Sequence, residues 1–315
     1  DIDDSLRTFH SVTVNGLQTA TIYNLQAYSV ANSDTSFSSN IISSTSSDFP
    51  TTGEINVYFN RNVYFGVSSG VNANQNVDFL SKAIERINNA KRSVDLALYS
   101  LSGSVGDNLA SAIVNAKNRG VKIRVIGEYD NMNSNAYQFL INNGIPYIND
   151  RFGSNDGGGL HHNKFFVIDY RGGAPDSIWV MTGSWNPTDP GTNDDRQNLI
   201  EIQDVDLAGA YSVEFNEMWG SNTDVPNPQF SRFSSRKYNN TPHTFQINGN
   251  RIQNYFSPSD FTNSKIGKTL GKAQKSINGA ILTFTRRDLA DTVISVKNEG
   301  KKARIILSNN TDTGN

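Results

Sequence analysis

"AKRSVDLALYSLS" (90–102) and "AQKSINGAILTFT" (273–285) read as one element written twice. Each opens on a polar turn and runs through a serine into an apolar stretch of strand length. The likeness continues from "DNLASAIVNAKNRGVKIRVIG" (107–127) to "RDLADTVISVKNEGKKARIIL" (287–307). In both, a helical pattern is closed by a glycine just past its cap, and a second apolar strand follows. Ser93 pairs with Ser276 and Gly120 with Gly300, at offsets of 183 and 180. Strand, helix and strand in alternation predict an α/β layer fold with a largely parallel sheet. The internal repeat predicts that the fold is duplicated.

Outward from this repeat, "NVYF" (56–59) reads as a further strand, and Phe79, Leu80, Ala83, Ile84 and Ile87 keep one helical face. A helix around Ala136 to Ile141 precedes the strand "IPYI", and Ile178 to Met181 is another strand. "NLIEI" and "DLAGAYSVEFNEMWG" follow as strand and helix. After a polar stretch from Ser221 to Gly249, "IQNYFSPSD" parallels "INVYFNRNV" and opens the second copy. The first repeat is placed at residues 52–221 and the start of the second at 250–315.

With 315 residues, 36% of them hydrophobic and 18% charged, the chain is long enough for two cores. No apolar run approaches a membrane span. The net charge of -2 supplies no global basic field for nucleic acid. The absence of cysteine removes disulfides, thiolate catalysis and cysteine-based zinc sites.

The chemistry concentrates in "GLHHNKFFVID" (159–169). A lysine beside a buried-strand run such as Phe165 to Ile168 costs several kcal/mol to desolvate unless something offsets it. A bound anion would do so. On a strand, residues two apart share a face, so His162 and Lys164 project together with roughly 7 Å between their Cα atoms. An imidazole serves as nucleophile or proton donor near neutral pH, and an ammonium compensates charge on phosphate oxygens. Asp169, at the strand's far end, either orients the histidine or holds the following turn. Downstream, "MTGSWNPT" offers Ser184 and Asn186 as neutral hydrogen-bonding groups after another strand.

His161 points away from His162 on a regular strand and reads as a packing residue. Divergence of adjacent residues on a strand argues against a zinc site from the His161-His162 pair, with only His10 and His243 elsewhere. "GKT" at 267–269 lacks the earlier glycine of a phosphate loop and falls in a helix. The glycines 157–159 read as a flexible rim loop. Trp185 fits either a groove wall or a packed core.

His-x-Lys-x4-Asp followed by Gly-Ser-x-Asn resembles the HKD signature of the phospholipase D superfamily, at His162, Lys164, Asp169, Gly183, Ser184 and Asn186. The spacer between Asp169 and Gly183 is longer than that family's usual one, and "YRGGAPDS" reads as a hairpin tip. The resemblance implies a duplicated α/β sandwich and a phosphodiesterase, a hydrolase that needs no metal or cofactor. It makes His162, Lys164 and Asp169 catalytic and gives Ser184 and Asn186 to substrate. One motif's histidine attacks phosphorus to form a phosphohistidine and the other's protonates the leaving oxygen, spacing not deciding which of the two is His162. It also implies a second motif across a pseudo-twofold axis. Applied to His162, the repeat offset gives a position near 342, so the second repeat is expected to be truncated and its motif to lie in a missing carboxy-terminal part.

Residues 1–48 differ in kind. "HSVTVNGLQTATIYNLQAYSVANSDTSFSSNIISSTSS" (10–47) alternates short apolar patterns with polar turns. It resembles the carboxy-terminal half of a fibronectin type III domain, in the Leu17 to Tyr23 corner and the run through Ala27, Val30, Asn32 and Ser39-Asn40. The resemblance implies a piece of a longer, secreted or cell-surface protein. Seven aspartates face four Lys or Arg between residues 150 and 200, which favours a phospholipid head group over nucleic acid as substrate. An extracellular nuclease and a catalytically inactive adhesion module are the alternatives.

Overall fold

A computed structural model of the chain describes residues 12–18, 21–31, 33–44, 53–67 and 73–308. Residues 1–11, with His10, and 45–48 of the amino-terminal segment lie outside the described residues. The chain divides into two compact units, the first up to Asn254 and the second from Tyr255.

The amino-terminal strands β1 (Ile22–Leu25), β2 (Tyr28–Ala31), β3 (Asp34–Phe37) and β4 (Ile41–Ser44) form one interrupted hairpin. β2 pairs with β3 and β1 with β4, both antiparallel. Between the two ladders, Ser38 N–H donates to Ala27 O at 2.8 Å and Ala27 N–H to Ser38 Oγ at 3.0 Å.

Seven strands make the central sheet: β5 (Ile55–Phe59), β6 (Ser93–Leu98), β7 (Lys122–Gly127), β8 (Tyr147–Asn149), β9 (Lys164–Ile168), β10 (Trp179–Gly183) and β11 (Asn198–Ile202). Their order is β5-β11-β10-β9-β6-β7-β8. β6, β7 and β8 are mutually parallel, but β9 runs antiparallel to β6 and β10, and β10, β11 and β5 continue antiparallel. The sheet is thus mixed rather than largely parallel. Connection length explains the difference: residues 169–178, with a single 3-10 turn at Pro175–Ser177, join β9 to β10. That is too little chain for a parallel crossover, which takes about a dozen residues or more.

Helices α1 (Phe79–Asn89), α2 (Gly103–Asn118) and α3 (Asn135–Asn142) cover one face, burying Phe79, Ala83 and Ile87 of α1 against Phe166, Ile168, Trp179 and Met181. Leu80 and Ile84 complete the α1 face. The short α4 (Asp189–Asn193) supplies Asp189, whose carboxylate accepts Ser104 N–H and Val105 N–H at 3.1 and 2.9 Å and so caps α2. On the other face lies α5 (Val205–Trp219), whose Tyr211 meets Phe165 edge-on at 5.0 Å. The run Phe165 to Ile168 is therefore apolar throughout because its alternate side chains face two covered layers. Each such buried side chain contributes about 1.5–3 kcal/mol.

Arg124 is among the charged groups buried inside this unit. Arg124 grips Asp95 with two bonds, of 2.8 and 2.7 Å, and donates a third to Thr223 O at 3.0 Å. Arg171 adds bonds to Asp95 and Asp224.

β12 (Thr244–Ile247) and β13 (Asn250–Gln253) form a separate hairpin. "IQNYF" therefore does not repeat β5 in a sheet, because the positive-φ pair Asn248-Gly249 turns β13 back on β12. The second unit contains α6 (Thr262–Gly271), β14 (Ser276–Ile281), α7 (Arg287–Asn298) and β15 (Lys302–Leu307). β14 and β15 are parallel, Ser276 facing Lys302 through Ile281 facing Leu307. β6 and β7 have the same register, Ser93 facing Lys122 through Leu98 facing Gly127.

Candidate active site

Strand register brings the sequence motifs to one end of the central sheet. Leu98 pairs with Lys164, Thr182 with Phe165, and Gly183 with Leu199. The carboxy ends of β6 and β10 thus meet the amino ends of β9 and β11.

His162 and Lys164 converge on Tyr99, the residue that leaves β6. The His162 imidazole stands edge-on to the Tyr99 ring at 4.5 Å between centroids, and Lys164 Nζ lies 5.1 Å from the same ring. Lys164 Nζ also donates to His162 O at 3.1 Å. Backbone bonds fix this corner: Tyr99 N–H donates to Asn163 O at 2.9 Å, and Asn131 Nδ2 to Tyr99 O at 2.9 Å. Loss of hydration pushes the half-buried Lys164 ammonium down to about 8. Partial burial, and then the Lys164 charge, hold the His162 imidazole below its ordinary value. A neutral imidazole beside a cation is suited to nucleophilic attack on an anionic centre.

The Gly-Ser-x-Asn element forms the neighbouring wall. A side chain at Gly183 would bring Cβ within 2.3 Å of Asn198 O, so only glycine allows the two strands this approach. Ser184 Oγ accepts from Asn198 N–H at 3.0 Å and from Asn198 Nδ2 at 3.2 Å. Asn186 Oδ1 is buried without a hydrogen-bond partner. Trp185 takes its packing role, 2% exposed, edge-on to Phe79, with Nε1 donating to Thr192 Oγ1 at 2.8 Å.

Asp169 lies at the opposite end of β9, buried. Its carboxylate accepts the N–H groups of Lys91, Arg92 and Ser93 at 2.7–3.0 Å. Of the two roles considered for it, the geometry supports the structural one: it pins the turn into β6 and does not reach the histidine. His161 is buried against Phe233, the ring centroids 5.8 Å apart, and burial drives its imidazole down to about 3. The glycines before the motif are held unequally, since a Cβ on Gly158 would meet nothing within 4 Å while others are packed. A Cβ on Gly157 would come within 2.6 Å of Phe233 O and one on Gly153 within 2.2 Å of Pro228 O, so these glycines let the loop lie against the segment after α5.

Sequence reading passed over Tyr99, Asn198 and a carboxyl pair behind the histidines. Glu128 and Asp150 are buried together, and burial raises both above the usual carboxylate range. Glu128 accepts His161 N–H and so holds the peptide that carries His162. The available signal was positional: Tyr99 and Glu128 each end an apolar strand at the same edge of the sheet. Among the described residues no group of three or more His, Cys, Asp or Glu is placed to hold a metal ion.

Residues 83–219 match the family described as "Cardiolipin synthase, PLD-like domain". The mitochondrial cardiolipin hydrolase of Xenopus tropicalis is 31% identical over 132 residues, 41% of this chain and 56% of that protein. A phospholipase D of Rickettsia prowazekii (strain Madrid E) is 28% identical over 160 residues, 47% of this chain and 69% of that protein. Among solved structures, the phospholipase D family member Nuc from Salmonella typhimurium is 20% identical with a TM-score of 0.39, covering 55% of this chain and 99% of that one. The chain spans little more than half the length of the first of these curated relatives.

Proposed function

We propose that this protein is a phospholipase D-like phosphodiesterase, a hydrolase in which His162 attacks phosphorus while Lys164 neutralises the non-bridging oxygens. The convergence of His162 and Lys164 on Tyr99 carries this reading. A bond forms between an imidazole nitrogen and phosphorus, and the bond to the leaving oxygen breaks. The leaving oxygen takes its proton from the histidine of a second such motif. Water then releases the phosphohistidine. Ser184 and Asn186 orient the substrate, and no metal enters any step.

A phospholipid head group is the favoured substrate. The residue balance around the motif, seven aspartates to four Lys or Arg between 150 and 200, is poor for a nucleic-acid groove. The two curated relatives described above carry the names cardiolipin hydrolase and phospholipase D.

The domain reading is residues 1–48 as part of a fibronectin type III-like domain, 52–221 as the first repeat and 250–315 as the start of the second. In support of the first, Tyr23 Oη accepts Gln18 N–H at 2.7 Å, five residues upstream, as in the tyrosine corner of such sandwiches. A secreted or cell-surface location goes with that reading.

The test is hydrolysis of bis(p-nitrophenyl) phosphate in excess chelator, with parallel assays on phosphatidylcholine and plasmid DNA. Turnover that survives the chelator and vanishes in His162→Asn is expected. Unchanged turnover in that variant, or loss with the chelator, would overturn the mechanism, and preference for DNA would overturn the substrate class.

A further inference from the structure

The loop after β5 leaves the sheet at the site end, since Phe59 pairs with Asn198, the residue bonded to Ser184. Its base is tied on both sides. Phe59 N–H donates to Asn74 O at 2.8 Å, Val77 N–H to Phe59 O at 3.0 Å and Asn76 N–H to Arg61 O at 3.1 Å. Asn60 Nδ2 donates to Thr192 O and Asp195 O at 3.1 and 2.9 Å, and its Oδ1 accepts Gln197 N–H at 2.8 Å. The base is thus joined to the segment between Asn186 and Asn198 that completes the wall of the candidate site.

From this fixed base projects an apolar tip. Tyr64, Phe65 and Val67 are 75%, 64% and 80% exposed, on a 3-10 turn at Phe65–Val67, with the Tyr64 ring lying over Gly66. Three large apolar side chains in four residues, all turned to solvent, are a cost that a folded domain carries for a purpose. The sequence from Asn62 to Val77 contains no charged residue.

We propose that Tyr64, Phe65 and Val67 are an interfacial anchor that enters the head-group region of a phospholipid bilayer and sets the mouth containing His162 and Lys164 against it. This rests on the phosphodiesterase reading and sharpens its substrate class to lipid presented in a membrane. Tyrosine and phenylalanine at the tip, with no charge beside them, match the boundary between head groups and acyl chains. A nucleic acid is a poorer occupant: stacking on Tyr64 and Phe65 needs cations tracking the backbone, and the Arg61 guanidinium is engaged on Asn193 O. A protein partner would need about 800 Å² of surface from each side, far more than one short turn offers.

The experiment is co-sedimentation of the protein with phosphatidylcholine vesicles, against the variant Tyr64→Ser/Phe65→Ser/Val67→Ser. The variant should bind vesicles about tenfold less or weaker, with its turnover of bis(p-nitrophenyl) phosphate unchanged. Phe65→Trp supplies a milder probe: its emission should shift to the blue on adding vesicles, since Trp179, Trp185 and Trp219 are all buried. Vesicle binding that is absent, or equal in the triple variant, or a Phe65→Trp emission that does not move, would overturn the anchor. So would binding of a single-stranded oligonucleotide that depends on the tip. Tip-dependent vesicle binding in a protein without turnover would keep the anchor and remove the reaction. Turnover with tip-independent binding would do the reverse.

Discussion

Ser93–Leu98 and Ser276–Ile281 occupy the same place in two copies of one design, yet all six residues of the first are buried and only Ile277 of the second is. The backbone repeats, down to the shared register of the parallel pair and the positive φ of Gly120 and Gly300, 92° and 87°. What differs is the company. β6 lies between β7 and β9 under α1, α2 and α5, whereas β14 pairs with β15 alone among the described residues. The small core of the second unit gathers Ile277, Val293 and Val296. One sequence pattern thus specifies a local βαβ unit, and burial of that unit is a separate property contributed by its surroundings.

The ion pair at matching positions gives the largest contrast. Asp95 and Arg124 correspond to Asn278 and Arg304, where Arg304 Nε donates to Asn278 Oδ1 at 2.9 Å on an exposed surface. Arg124→Ala leaves the buried Asp95 with Arg171 as its remaining cationic partner and should cost about 3 kcal/mol. Arg304→Ala should cost under about 1 kcal/mol. All three tryptophans belong to the first unit, so fluorescence-monitored urea unfolding reads the first variant, and amide hydrogen exchange in β14 and β15 reads the second. Equal costs would break the claim that surroundings, rather than the repeat, set the energetics.

Next in size is Asp169→Ala. It removes the acceptor of the Lys91, Arg92 and Ser93 amides at the start of β6, while the matching Ser276 stands exposed at the start of β14. A loss of about 2–3 kcal/mol is expected in the same urea experiment. Activity per folded molecule should fall far less than in His162→Asn, because the carboxylate is remote from the imidazole. A loss of turnover as complete as that of His162→Asn in still-folded protein would return Asp169 to the chemistry.

Smaller, and equal in the two units, is the cost of Gly120→Ala and Gly300→Ala. Each glycine has a positive φ with nothing within 4 Å of the added Cβ, so only backbone strain enters. About 1–2 kcal/mol is expected at both sites, read by fluorescence for the first and by exchange in β15 for the second. Unequal values would show that the turn is not the shared element of the design.

The pattern of legibility follows from the same division. Local elements were readable because period, caps and glycines act within a few residues: α2 closes before Gly120, and "GKT" lies inside α6 as its surroundings predicted. The motif residues were readable because charge beside an apolar strand is anomalous. Strand direction was not, since the antiparallel turn at β9 depends on what residues 169–178 can span. Tyr99 was read only as the end of a strand, because its meeting with His162 is made by the pairing of β6 with β9 across more than sixty intervening residues. The Asn248-Gly249 pair makes the β12–β13 turn, a local signal that the likeness of "IQNYFSPSD" to "INVYFNRNV" does not contain.

The last contrast is an alkaline pH dependence in the first unit. Lys164 has its ammonium lowered from 10.5 to about 8 by burial, whereas Lys275 and Lys302, at the edges of β14 and β15, are exposed. Between about 8 and 10.5 the unfolded chain therefore holds a proton at this position that the folded chain has released. Stability rises with pH wherever the unfolded state binds more protons, so the penalty of burying the charge is fully present below about 8 and fades as pH climbs through that window. Tyr58 and Tyr211 work in the opposite sense, because burial raises both to about 12 and the unfolded chain ionises them first, from about 10. The fluorescence-monitored urea midpoint should consequently increase from pH 8 to about 9.5 and decline above about 10. Lys164→Gln should flatten the rise and leave the decline, and an unaltered rise in that variant would place the titrating group elsewhere.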